Sequence, residues 1–135
     1  AGTGAGLPGI PLAIARAGLK VTLVDSAGKK VRFMNHVRRE LALSTIQALH
    51  GRVEELAPET PFDTIVSRAF TSLASFVVAV RTLASAETDV LAMKGRFPER
   101  EIEALPEWAV VRSIEKLEVP GLHEHRHLVI MTVNP

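Results

Sequence analysis

The chain has 135 residues, room for one domain and too few for two. Hydrophobic residues make up 47% and charged residues 23%, a balance that argues against disorder, and the absence of Cys excludes disulfides, thiolate zinc sites and cysteine nucleophiles. Sixteen Lys+Arg against fifteen Asp+Glu leave a formal charge of +1, so bulk charge does not mark a nucleic-acid binder. No apolar run approaches the ~20 residues of a membrane span. The start AGTGAGLPG lacks the basic opening and apolar core of a secretory signal.

The chain opens on a Gly-rich turn, Gly2, Gly4 and Gly6, where a strand is normally found first; this suggests a piece of a longer protein. Residues 7–17 read as a helix with Leu7, Ile10, Ile14 and Ala17 on its apolar stripe and Gly18 as its stop. Val21–Asp25 is a short strand ending in an acid. Lys29–Ala42 is an amphipathic helix that turns Val31, Met34, Val37 and Leu41 to the core and Lys30, Arg32, Arg38 and Arg39 away from it. Thr45–Leu49 is a strand, followed by the polar loop GRVEE. Phe62–Ser67 is a β-branched strand, Ser72–Leu83 a helix, Asp89–Lys94 a strand and Glu99–Leu105 a short helix. Ala109–Val119 and Leu128–Val133 form an antiparallel hairpin around PGLHEHRH. Phe33, Phe62, Phe70 and Phe76 fall on apolar stripes and read as core.

Strands alternating with helices predict an α/β domain, a mostly parallel sheet covered on both faces. The closing hairpin points to a Rossmann-like nucleotide-methyltransferase sheet and away from a two-halved dehydrogenase. The strand expected before Gly2 would be the central one. Without it, the strands at 21–25 and 62–67 have no common partner, and the chain alone is expected to fold poorly and bind a cofactor weakly.

GxGxG ahead of a helix allows a sharp turn and close approach of a ligand to main-chain N–H groups. Asp25 ends the next strand, about 20 residues on, where a carboxylate accepts hydrogen bonds from ribose hydroxyls. Together they indicate a nucleoside cofactor without choosing between NAD and S-adenosylmethionine. Val53 and Glu54 follow the strand at 45–49, suited to an adenine edge. Arg68 ends FDTIVSR at the carboxyl edge where open sheets bind ligands. A solvated loop acid and a surface ion-pair partner are the plain alternatives for Glu54 and Arg68.

The segments AGTGAGLPGIPLAI, VTLVDSAGKKVRFMNHVRRELAL, GRVEE, PFDTIVSRAFTSLASF, AMKGR and LEVPGLHEHRHLVI resemble the RsmG (GidB) family of 16S ribosomal RNA guanine-N7 methyltransferases over nearly all 135 residues. Relative to that family, an N-terminal helical segment and the first strand are missing. The resemblance implies a class I S-adenosylmethionine-dependent methyltransferase sheet. It implies an enzyme acting on the small ribosomal subunit; a cytoplasmic monomer with no membrane partner is expected. It makes Gly2, Gly4, Leu7, Val53, Glu54 and Arg68 cofactor contacts and gives Asp25 the ribose. Guanine N7 carries a free lone pair, so no strong general base is needed, and no catalytic acid–base pair is assigned.

Arg16, Lys20, Lys29, Lys30, Arg32, Arg38 and Arg39 cluster with Asp25 as the only acid among them, a stretch phosphates would attract. A solvated helix face is the plain alternative. Lys94 in KGR and Arg126 in RHLV are expected to hold substrate RNA, with Arg38 and Arg39 in support. His123, His125 and His127 alternate, but Glu124, Arg126 and a turn interleave, and no metal site is assigned. Trp108 and Phe97 are expected to fill the core around the last strands instead of stacking on a base. The alternative from another class is a non-catalytic nucleotide- or RNA-binding module of the same fold.

Overall fold

The computed structural model describes residues 2–4, 6–68 and 70–135. They form two compact units, 1–56 and 57–135, with the strands in two separate sheets.

The first unit contains α1 (Gly9–Ala15), β1 (Val21–Asp25), α2 (Gly28–Glu40), β2 (Ile46–His50) and a 3-10 turn at Val53–Glu55. β1 and β2 run parallel, in register from Val21 opposite Ile46 to Asp25 opposite His50. Parallel neighbours need a crossover, and α2 supplies it. Ile10, Ala13, Leu23, Val31, Met34 and Ile46 make the core, with Val21, Val37, Leu43 and Ala48 packed against it. Arg38 and Arg39 occupy the last turn of α2, where cations oppose the helix dipole.

Three expectations in this unit are corrected. The buried stripe of α1 is Gly9, Ile10 and Ala13, while Leu7 and Ala17 are exposed and Ile14 is 57% exposed. The cause is Gly9: a Cβ there would sit 2.3 Å from Leu23 Cδ2, so the helix packs on β1 through its backbone and its stripe is rotated. Leu41 lies past the end of α2 and is exposed. Phe33 is 50% exposed, because Val31 and Met34 take the inward face.

The second unit contains β3 (Thr64–Ser67), α3 (Leu73–Val80), a 3-10 turn at Arg81–Leu83, β4 (Asp89–Lys94), α4 (Glu99–Glu103), β5 (Ala109–Leu117) and β6 (Arg126–Val133). The sheet order is β3-β4-β6-β5, with β3 and β4 parallel and the β4–β6 and β6–β5 pairs antiparallel. The expected closing hairpin is therefore present. Its first strand stops at Leu117, before the turn that Pro120 and Gly121 (φ +79°) impose. β6 alternates strictly, burying His127, Val129, Met131 and Val133. α3 starts where Ser72 Oγ accepts the Ser75 amide at 3.1 Å, a side-chain N-cap. It buries Leu73, Phe76, Val77, Ala79 and Val80.

Among the described residues β1 pairs only with β2, and β3 only with β4. Phe76 is fully buried, with the half-buried Phe70 ring 5.0 Å from it. Phe97 departs from expectation: it is 55% exposed, its ring meeting His127 edge-on at 5.8 Å. Trp108 is half-buried beneath the Arg81 guanidinium, 4.4 Å from the ring centroid.

Candidate functional site

The first unit carries the glycine turn. Gly2, Gly4 and Gly6 have φ of +59°, +57° and +89°, a region closed to most side chains. At Gly2 and Gly4 an added Cβ would meet nothing within 4 Å, so this stretch of backbone is open to an approaching ligand; at Gly6 it would strike Ile10. The turn is tied down on two sides. The Thr3 amide donates to Val24 O at 3.3 Å, and the buried Thr3 hydroxyl reaches Met34 Sδ at 3.0 Å. Asp25, at the carboxyl end of β1, is buried, and its Oδ2 accepts the Gly4 amide at 2.8 Å while Oδ1 accepts the Ala27 amide at 2.8 Å. A carboxylate oxygen has two acceptor sites, so each still has one to give a ligand hydroxyl.

Beyond β2, the Gly51 amide donates to Asp25 O at 3.0 Å and His50 Nε2 donates to Ser26 O at 3.0 Å. The ladder thus leads directly into the 3-10 turn, where Val53 is buried and Glu54 exposed. Leu7 is exposed beside the glycine turn. The structure brings Gly2, Gly4, Leu7, Asp25, Val53 and Glu54 into one unit. On α2, Arg39 is exposed, whereas Arg38 Nη1 donates to Ile46 O at 3.3 Å.

Arg68 belongs to the second unit, where it meets different company. With Lys94, Gly95, Arg126 and His127 it lines an open pocket of ≈ 350 Å³ at the carboxyl ends of β3 and β4, to which Met93, Leu117 and Val119 add apolar lining. Three cations around one concavity suit an anionic or nucleotide ligand. Arg126 Nη1 donates to His125 O at 2.9 Å, and its Nη2 pairs with Glu124. His127 Nδ1 donates to Gly95 O at 2.7 Å, which fixes the KGR turn against β6. Lys94 Nζ lies 2.9 Å from Glu101 Oε2 and 3.3 Å from Phe70 O. Neither Glu101 nor the anchoring role of His127 stands out in the sequence; the place of Glu101 in the first turn of a short helix is its one signal. Among the described residues no three His, Asp or Glu side chains converge to hold a metal ion.

The model of the GidB family, described as rRNA small subunit methyltransferase G, matches residues 1–129. The chain belongs to the GidB family. Ribosomal RNA small subunit methyltransferase G of Pseudomonas aeruginosa (strain LESB58) is 49% identical over 130 residues, covering 96% of this chain and 61% of the relative. Its namesake from Escherichia coli (strain K12 / DH10B) is 48% identical over 133 residues, covering 98% and 64%. The chain thus spans about three fifths of the length of the curated relatives it matches. Among solved structures, the O-methyltransferase NcsB1 from neocarzinostatin biosynthesis, in complex with S-adenosylmethionine and a naphthoic acid, superposes with a TM-score of 0.76 at 19% identity. That likeness covers 98% of this chain and 47% of NcsB1. The GidB chain therefore has the methyltransferase fold expected from its element order. No helix among the described residues is long and apolar enough to cross a membrane.

Proposed function

We propose that this chain supplies the cofactor-binding turn and the substrate pocket of an S-adenosylmethionine-dependent methyltransferase that modifies a guanine N7 in small-subunit (16S) rRNA. Membership of the GidB family over residues 1–129 is the observation that carries this reading. The donor set fits the cofactor. The open backbone at Gly2 and Gly4, the remaining acceptor capacity of Asp25, and the Val53–Glu54 turn match a nucleoside with a diol and an adenine edge. Leu7 would flank it.

S-adenosylmethionine supplies an electrophilic methyl group. The protein's task is to hold the guanine so that its N7 lone pair points along the transfer direction, which asks for positioning and no strong base. Lys94 and Arg126 would hold the RNA around the target, and Arg68, which lines the same pocket, would be a further cofactor contact. Arg39, and more weakly Arg38, would meet phosphates farther along the RNA. The enzyme would work as a cytoplasmic monomer on assembled small subunits. The intact protein should transfer labelled methyl from S-adenosylmethionine to small subunits from a strain lacking the modification. Binding of cofactor and RNA without incorporation would instead make the chain a non-catalytic binding module.

A further inference from the structure

We infer that Glu101, on α4, is the residue that positions Lys94 for substrate; this rests on the reading of Lys94 as a substrate-holding cation. One oxygen, Glu101 Oε2, accepts both from Lys94 Nζ at 2.9 Å and from the Leu73 amide at 2.8 Å. Lys94 also donates to Phe70 O at 3.3 Å. A single carboxylate therefore ties together the end of β4, the first amide of α3 and, through Lys94, the chain entering that helix.

The arrangement has a physical logic. A lysine rides on a flexible four-carbon stem and samples many rotamers unless something holds its head. The Lys94 side chain is only 15% exposed and that of Glu101 31%, so the pair is partly shielded from solvent screening. The carboxylate is itself held by the Leu73 amide at a helix N-terminus, where negative charge is favoured. Glu101 thus has a fixed place from which to fix Lys94, and Lys94 remains on the wall of the pocket it shares with Arg68 and Arg126. The same contact holds Lys94 close to the backbone that follows Arg68. Glu101 touches no ligand itself; it acts through Lys94.

The test uses the intact protein with Glu101→Ala, Glu101→Gln, Lys94→Ala and the Glu101→Ala/Lys94→Ala double variant. Three quantities are read: kcat/KM on small ribosomal subunits, cofactor affinity, and hydrogen exchange of the Leu73 amide. Glu101→Ala should lower kcat/KM about tenfold, leave cofactor affinity within about twofold and speed exchange at Leu73. Glu101→Gln keeps an oxygen for the Leu73 amide and loses the charge. It should restore protection at Leu73 without restoring kcat/KM fully, and it carries the test if the alanine variant does not fold. In the Lys94→Ala background, Glu101→Ala should cost no more than about a further twofold. An equal loss in both backgrounds, or unchanged kcat/KM in Glu101→Ala, would overturn the inference alone. Unchanged kcat/KM in Lys94→Ala would overturn the reading of Lys94, and the inference with it.

Discussion

Asp25 and Gly4 are joined by a 2.8 Å hydrogen bond from the glycine amide to Oδ2, and the second carboxylate oxygen takes the Ala27 amide at the same distance. The acid that ends β1 therefore shapes the glycine turn. Asp25→Ala strands two amides, each costing about 1–3 kcal/mol if it stays buried, and removes the acceptors for a ribose diol. Thermal stability and S-adenosylmethionine affinity should fall together, the affinity by at least roughly tenfold. Calorimetry and a melting curve on the same preparation check this. Lost affinity at unchanged stability would mean that Asp25 serves the ligand alone.

Neighbouring arginines on α2 should behave differently. Arg39 is exposed, so Arg39→Ala should cost at most the small helix-dipole contribution to stability, weaken RNA binding modestly and lower the salt slope by about one. Arg38 is partly engaged with Ile46 O, and Arg38→Ala should lower the melting temperature as well. Binding measured across a salt series, beside thermal melts, separates the two. Identical behaviour would contradict the assignment.

Arg126 and Arg68 share a pocket but should differ in what they control. Arg126→Ala should lower kcat/KM on small subunits about tenfold at unchanged cofactor affinity. Arg68→Ala should weaken cofactor binding as well. Titrations of cofactor and subunits on both variants decide, and matching profiles would collapse the distinction.

Much of this fold was legible because its strands are short, apolar and cleanly bounded. Asp89–Lys94 and Val21–Asp25 were read to the residue, and the closing hairpin followed from PGLHEHRH. The helix faces were less legible. Gly9 makes the close contact of α1 with β1, yet a residue without a side chain leaves no mark on a hydrophobic pattern, so Leu7 and Ile14 were assigned inward. At the site, Asp25 announced itself by ending a strand, but its hold on Gly4 spans 21 residues and depends on the path of the turn. Glu101 reaches Leu73 across 28 residues, a separation at which local spacing carries no information.

The two sheets should differ in local stability. Among the described residues β1 and β2 form a two-stranded sheet, which is marginal unless packing supports it, whereas β4 and β6 lie inside a four-stranded one. In the 1–135 chain, amides of Leu23 and Val24 should exchange faster than those of Val90, Val129 and Met131 by an order of magnitude or more. Hydrogen exchange read residue by residue checks this, and uniform protection would show that the two units open as one.

Methyl transfer to a guanine N7 leaves a product that can be identified directly. The intact protein should be incubated with S-adenosylmethionine and small subunits lacking the modification, and the rRNA then digested and its nucleosides separated by mass. One new nucleoside, 7-methylguanosine, is expected from the native protein, strongly reduced with Asp25→Ala and Arg126→Ala. A methyl group on another atom or another base, or no methylated nucleoside from folded, cofactor-bound protein, would contradict it.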